Sequence, residues 1–192
     1  MVGVLAAITI LSALLIPKVF EAMYNARISN ALVSYQTVKA AVTQHFGTFG
    51  SLSSLNGTNL SISAGSAYTN YDGVLLLEGF LDKPFTPKLG TNATIQLVNV
   101  SNLSPNTSPN GGGNSAYDLD GDGQNDVVGN YMVEAVIYGV SQDDAKAVND
   151  RLDGPNMGEQ GNSGHDFFGR VIYRNPPGQG TSYELHIYIA HR

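Results

Sequence analysis

MVGVLAAITILSALLIP, residues 1–17, runs without interruption into KVFEAMYNARISNALVSYQTVKAAVTQHF, residues 18–46. The first segment is uncharged and apolar on every side. As a helix its apolar residues would extend about 24 Å, a little short of the ~30 Å hydrocarbon core of a bilayer. After Pro17 the pattern turns amphipathic. Phe20, Met23, Ile28, Ala31, Leu32, Tyr35, Val38, Val42, Phe46 and Phe49 recur at steps of three and four, and Arg27, Asn30, Ser34, Thr37 and Gln44 take the other side. Gly47 and Gly50 mark the C-terminal stop. Residues 28–49 therefore read as a helix docked on the protein's own sheet. A helix that is apolar all round needs lipid or neighbouring chains to cover it. Pro17 removes one helical hydrogen bond and is a hinge candidate.

The organisation that follows is a stalk over residues 1–50, with 1–17 as its membrane or filament-core segment, and an α+β head over 51–192. Val2, Val4, Leu5, Ile8, Ile10, Leu11, Leu14, Leu15, Ile16 and Pro17 are the residues assigned to that core. Gly3, Ala6, Ala7, Ser12 and Ala13 are small enough to let helices approach closely.

In the head, residues 51–70 read as a decorated loop of Ser, Asn, Gly and Thr. YDGVLLLEGFL at 71–81 reads as a short helix or turn against the stalk, and KPFTP at 83–87 as extended chain. Strands are expected at 94–100 and 131–140, then a helix capped by Ser141 with Asp144 three residues on, ended by Gly154 and Pro155. Residues 169–174 and 182–190 read as a closing hairpin around Pro176, Pro177 and Gly178; 101–114 and 156–166 read as loops. The expected architecture is a long hydrophobic N-terminal helix packed on a small antiparallel sheet of about four strands.

The sharpest chemical signal is DLDGDGQND at 118–126. Asp118, Asp120, Asp122 and Asp126 occupy positions 1, 3, 5 and 9 of a loop with Gly at 4 and 6, and Gln124 at position 7 would offer its backbone carbonyl. Oxygen donors at this spacing suit a hard cation, and Ca2+ suits them better than Mg2+, which demands stricter octahedral geometry. Gly129 stands where an EF-hand has its closing glutamate, and Val127, Val128 and Tyr131 onward read as strand instead of helix. Weak affinity, about 10⁻⁴–10⁻³ M, is the expectation for such a loop, with the ion bracing the strand at 131–140.

A net charge of −6 with 10 Lys+Arg argues against a phosphate-binding surface, and so against nucleic acid as a partner. Zero cysteines exclude disulfides, thiolate metal sites and a cysteine nucleophile. His45, His165, His186 and His191 read as ordinary helix, loop and strand residues. Ser163, His165 and Asp166 lie side by side in one loop, which is not how triads are assembled. With no nucleophile elbow, zinc-protease or phosphate-loop motif present, the chain reads as a non-enzyme.

VLAAITILSALLIPKVFEAMYNARISNALVSYQTVKAAV, at the start of the chain, resembles the N-terminal helix of type IV pilins and type II secretion pseudopilins. There an apolar stretch ends in a proline and an amphipathic half follows. The family's aromatic first residue and early glutamate are not in this sequence; aligning Pro17 on the family proline implies either about five residues ahead of Met1 or a variant without the charge that guides subunit docking. The loop at 118–126 likewise resembles the calcium loops of integrin-type repeats and calcium-binding pseudopilins, which implies Asp126 as a bidentate ligand. The resemblance implies a homopolymeric filament subunit, held in the inner membrane before assembly and then handed by pilus or secretion machinery to an extracellular fibre or periplasmic pseudopilus. The competing expectation is a monomeric, membrane-anchored, calcium-binding adhesin or receptor module.

Overall fold

A computed structural model describes residues 2–55, 58–59, 68–100, 117–124, 126–127, 131–157, 164–175 and 181–192, with side chains at 2, 4–10, 54–55, 58–59 and 68–69 outside that description. The expected loop at 101–114, the Pro176–Gly178 turn, Gly129, Val128 and Ser163 fall outside the described residues. So do the side chains of Val2, Val4, Leu5, Ile8 and Ile10.

One helix dominates the molecule. α1 (Val2–Phe49) contains Pro17 and runs through it uninterrupted, so the proline is accommodated within one element of about 72 Å. Gly50 closes it in the left-handed region, its N–H reaching the Phe46 carbonyl at 2.7 Å. Ile28, Ala31, Tyr35, Val38, Ala41 and Val42 form the buried face, confirming a docked upper half. Phe20 and Met23 share the sequence periodicity but remain exposed, because the head packs on the helix only above them.

The head contains a two-stranded ribbon, β1 (Ser54–Leu55) with β2 (Thr58–Asn59), and a five-stranded antiparallel sheet. The sheet comprises β3 (Tyr68–Asn70), β4 (Asn92–Asn99), β5 (Tyr131–Val140), β6 (Val171–Arg174) and β7 (Tyr183–His191), in the order β3-β4-β5-β7-β6. The fold class is therefore α+β, with one strand more than expected. β3 lies inside the stretch read as loop, pairing Asn70 with Gln96 and Tyr68 with Val98 at the sheet edge. Its three residues are too few to show a period-two pattern.

Alternation along the strands gives the sheet two buried faces. Ile95, Leu97, Val133, Ala135, Ile137, Leu185 and Ile187 meet α1 in the main core. Val98, Met132 and Ile172 point the other way, into a smaller core closed by Tyr117 and Val127. α2 (Asp72–Leu77) sends Val74 and Leu75 into the main core beside α1, as expected for 71–81. Asp72 is buried there, its carboxylate accepting from the Ile95 N–H at 2.5 Å and the Phe85 N–H at 3.2 Å. α3 (Gln142–Leu152) begins as expected, with the Ser141 hydroxyl accepting from the Asp144 N–H at 3.2 Å.

Among the described residues no helix is long and apolar enough to cross a membrane. This overturns the expected inner-membrane anchoring. Over the described side chains the uninterrupted apolar run is short, since Leu14, Leu15 and Ile16 are followed by Pro17, Lys18 and Glu21, the last two pairing at 3.1 Å.

Candidate functional site

The expected cation loop sits on the outer face of the sheet, away from α1, and its two ends fix it there. Tyr117 and Val127 are buried in the smaller core. The Asp126 N–H donates to the Tyr117 carbonyl at 2.9 Å and closes the base of the loop. A backbone bridge from Asp118 to Phe168, with the Gly169 N–H on the Asp118 carbonyl at 2.7 Å, ties it to the chain entering β6. Val127 belongs to no strand, and the expected strand following the loop is described from Tyr131.

Asp118 is completely buried. One of its carboxylate oxygens accepts from the Gly121 and Asp122 N–H groups at 2.7 and 3.1 Å, and the other from Gly123 at 2.7 Å. Backbone amides thus converge on one carboxylate. Gly121 and Gly123, at φ +80° and +85°, supply the left-handed turns this wrapping needs. Asp126 accepts from Leu119 at 2.6 Å and Asp120 at 3.2 Å, orienting its carboxylate toward the same centre.

Asp118, Asp120 and Asp126 each present an oxygen within 4.8 Å of the others. The structure brings these three expected ligands together. Asp122 is not in that cluster; its carboxylate accepts from the Gln124 N–H at 2.8 Å and from the Gln124 side-chain amide at 3.4 Å. Both residues lie at the exposed rim. An all-oxygen, anionic donor set fits a hard divalent cation, and it offers no thiolate or imidazole for zinc or copper.

Beneath the loop lies a polar chain that sequence reasoning missed. The Tyr117 hydroxyl donates to Glu134 on β5 at 2.7 Å, and Glu134 is 3.3 Å from His186 Nδ1 on β7. The other imidazole nitrogen stands 3.8 Å from Glu184, which is itself paired with Arg174 at 3.1 Å. Burial pulls the His186 pKa down, but the Glu134 and Glu184 carboxylates outweigh it and raise the value to about 9. His186 is therefore a buried imidazolium bridging two strands, which an ordinary strand residue is not. Its signal was present in the sequence: Glu134, Glu184 and His186 interrupt otherwise apolar strands at alternate positions.

His45 is also more than a helix residue. It is fully buried, its ring nitrogen contacts the Glu78 carboxylate, and the rings of Phe49, Tyr71 and Phe80 surround it at 5.1–5.9 Å. The pair fastens the top of α1 to the turn after α2. His165 lies against Phe167 at 4.8 Å, and Asp166 is turned away into a hydrogen bond from Asn149 at 2.7 Å.

The remaining expected site is the stalk. From Leu11 to Met23 every residue is exposed, including Leu14 at 68%, Leu15 at 61% and Phe20 at 65%. These side chains point in several directions around the helix, so no single face of the head could cover them. No family model, curated protein or solved structure matches the chain.

Proposed function

We propose that this chain is a non-enzymatic structural subunit of a helical filament with a pilin-like head, polymerised through α1. The observation that carries the reading is the apolar girdle at Leu11–Met23, exposed on all sides of a helix whose upper half is committed to its own head. Exposed apolar surface of this extent marks an interaction site. A bundle of like helices covers such a girdle from every direction, and heterologous packing that does not close produces a fibre. Small residues at Ser12 and Ala13 would let those helices approach closely.

In the same reading, Asp118, Asp120 and Asp126 hold Ca2+ with help from the rim residues Asp122 and Gln124. The ion supplies charge neutralisation to three converging carboxylates. The stiffened loop then presses Tyr117 on Glu134, bracing β5 on the fibre's outer surface.

Sedimentation of the full chain beside a variant carrying Leu14→Gln, Leu15→Gln and Phe20→Gln tests the proposal. Wild-type protein is expected to pellet as long polymers and the variant to stay monomeric with an intact head. A wild-type chain that remains monomeric at high concentration would overturn it.

A further inference from the structure

The buried polar chain beneath the cation loop has a direction. Glu134, Glu184, His186 and Tyr188 lie on the sheet face away from α1, because their neighbours Val133, Ala135, Leu185 and Ile187 fill the main core. Glu134 stands directly across from Tyr188, and His186 across from Val136, so Glu134 and His186 are diagonal neighbours on that face. Tyr117, the residue before Asp118, closes over them. Its ring lies 5.6 Å from that of Tyr188, and its hydroxyl donates to Glu134.

The contacts tighten toward the loop. Glu184 is 3.8 Å from His186 Nε2, His186 Nδ1 is 3.3 Å from Glu134, and Glu134 is 2.7 Å from the Tyr117 hydroxyl. His186 Nε2 is buried with no hydrogen-bond partner among the described residues, and Glu184 is taken up by Arg174 on β6. The imidazole is thus committed to Glu134, and Glu134 to Tyr117. Stability alone does not account for such a chain, since apolar side chains of similar volume generally serve a buried site as well or better. What the chain does fix is place. A carboxylate holds the Tyr117 hydroxyl by a charge-assisted bond. The Tyr117 backbone leads directly into Asp118, whose carboxylate gathers the Gly121, Asp122 and Gly123 amides. The Tyr117 carbonyl accepts from the Asp126 N–H. Two of the three converging carboxylates therefore take their position from one tyrosine.

We propose that Tyr117, Glu134 and His186 are positioning residues of the cation loop. The Glu134–His186 pair holds the Tyr117 hydroxyl, and Tyr117 sets the separation of Asp118 and Asp126 at which calcium fits. This rests on the calcium reading and adds the residues that set its affinity. None of the three belongs to the converging carboxylates; they act through the loop's backbone.

Calcium titrations of the full chain, followed through the head's melting temperature, test this. Tyr117→Phe keeps the ring and removes the hydroxyl, and it should need about tenfold more calcium than wild type for the same rise. His186→Gln should cost a similar factor. The double variant should lose little more than either single one, because both substitutions break one chain. His45→Gln is the control: it breaks the buried pair with Glu78 at the top of α1, so it should lower the melting temperature and leave the calcium requirement at the wild-type value. A Tyr117→Phe chain that responds to calcium as wild type does would overturn the positioning role while the calcium reading stands. Losses that add in full, or a calcium requirement shifted as far by His45→Gln, would do the same. Wild-type melts indifferent to calcium would overturn both.

Discussion

The two halves of α1 are both rich in apolar side chains and meet opposite fates. Ile28, Tyr35, Val38 and Val42 are buried against the sheet, whereas Leu14, Leu15, Ile16 and Phe20 are more than half exposed. What differs is distribution. The upper half confines its apolar residues to a stripe and gives the opposite side to polar ones, so one sheet face satisfies it. The lower half spreads them around the helix, and nothing among the described residues covers it. Burial in the first case is a property of the chain; in the second, under the filament proposal, other copies supply it.

The sharpest way to break this comparison is to truncate both halves equally. Tyr35 is buried, and its hydroxyl donates to the Tyr188 carbonyl at 2.9 Å. Tyr35→Ala is expected to cost the head about 3–5 kcal/mol in urea unfolding. Leu15→Gln, on the stalk, is expected to stay within about 0.5 kcal/mol in the same assay and yet reduce polymerisation. Equal losses from both would show that the stalk is part of the head's own core.

The cation loop offers an intermediate effect. Asp118 carries three backbone amides, so Asp118→Ala should destabilise the head by about 1–3 kcal/mol with or without calcium. Asp120 lies at the exposed side of the cluster, and Asp120→Asn should matter only when the ion is present. Thermal melts of wild type should rise with about 10 mM calcium and fall on chelation, by about 1–3 kcal/mol for affinity of the weak extracellular class. Melts indifferent to both calcium and chelator would remove the ion from the account.

A smaller effect comes from His186. Its folded-state pKa is raised from 6.5 to about 9, so the stabilisation is fully present below about pH 6.5 and is lost as pH rises through about 9. Urea midpoints at pH 7 and pH 10 should therefore differ in wild type and converge in His186→Gln. The lower half of α1 has no comparable buried ion pair among its described residues, and Lys18 with Glu21, both exposed, should contribute little at either pH.

Much of this was legible before any coordinates. Strong periodicity placed α1, β5 matched its expected bounds residue for residue, and Ser141 marked the start of α3 because its hydroxyl has one obvious amide to cap. Position counting in DLDGDGQND picked out Asp118, Asp120 and Asp126, since the glycine turns dictate which side chains converge. Counting could not tell that Asp122 would fold back on Gln124, a local hydrogen bond that competes with convergence. β3 was hidden because a three-residue edge strand is stabilised by its partner's backbone, which leaves little trace in side-chain pattern. Glu134 and His186 stayed unread because their pairing joins residues far apart in sequence. Membrane anchoring failed because, among the described residues, no helix is long and apolar enough to cross a membrane.

The central claim is that α1 is covered by other copies of itself. Helical reconstruction of polymers of the full chain by cryo-electron microscopy tests it most directly. The account requires the Leu11–Met23 segments bundled at the fibre axis, with heads outside and the 118–126 loop on the outer surface. Fibres joined head to head with those segments pointing into solvent, or fields of single molecules only, would contradict it.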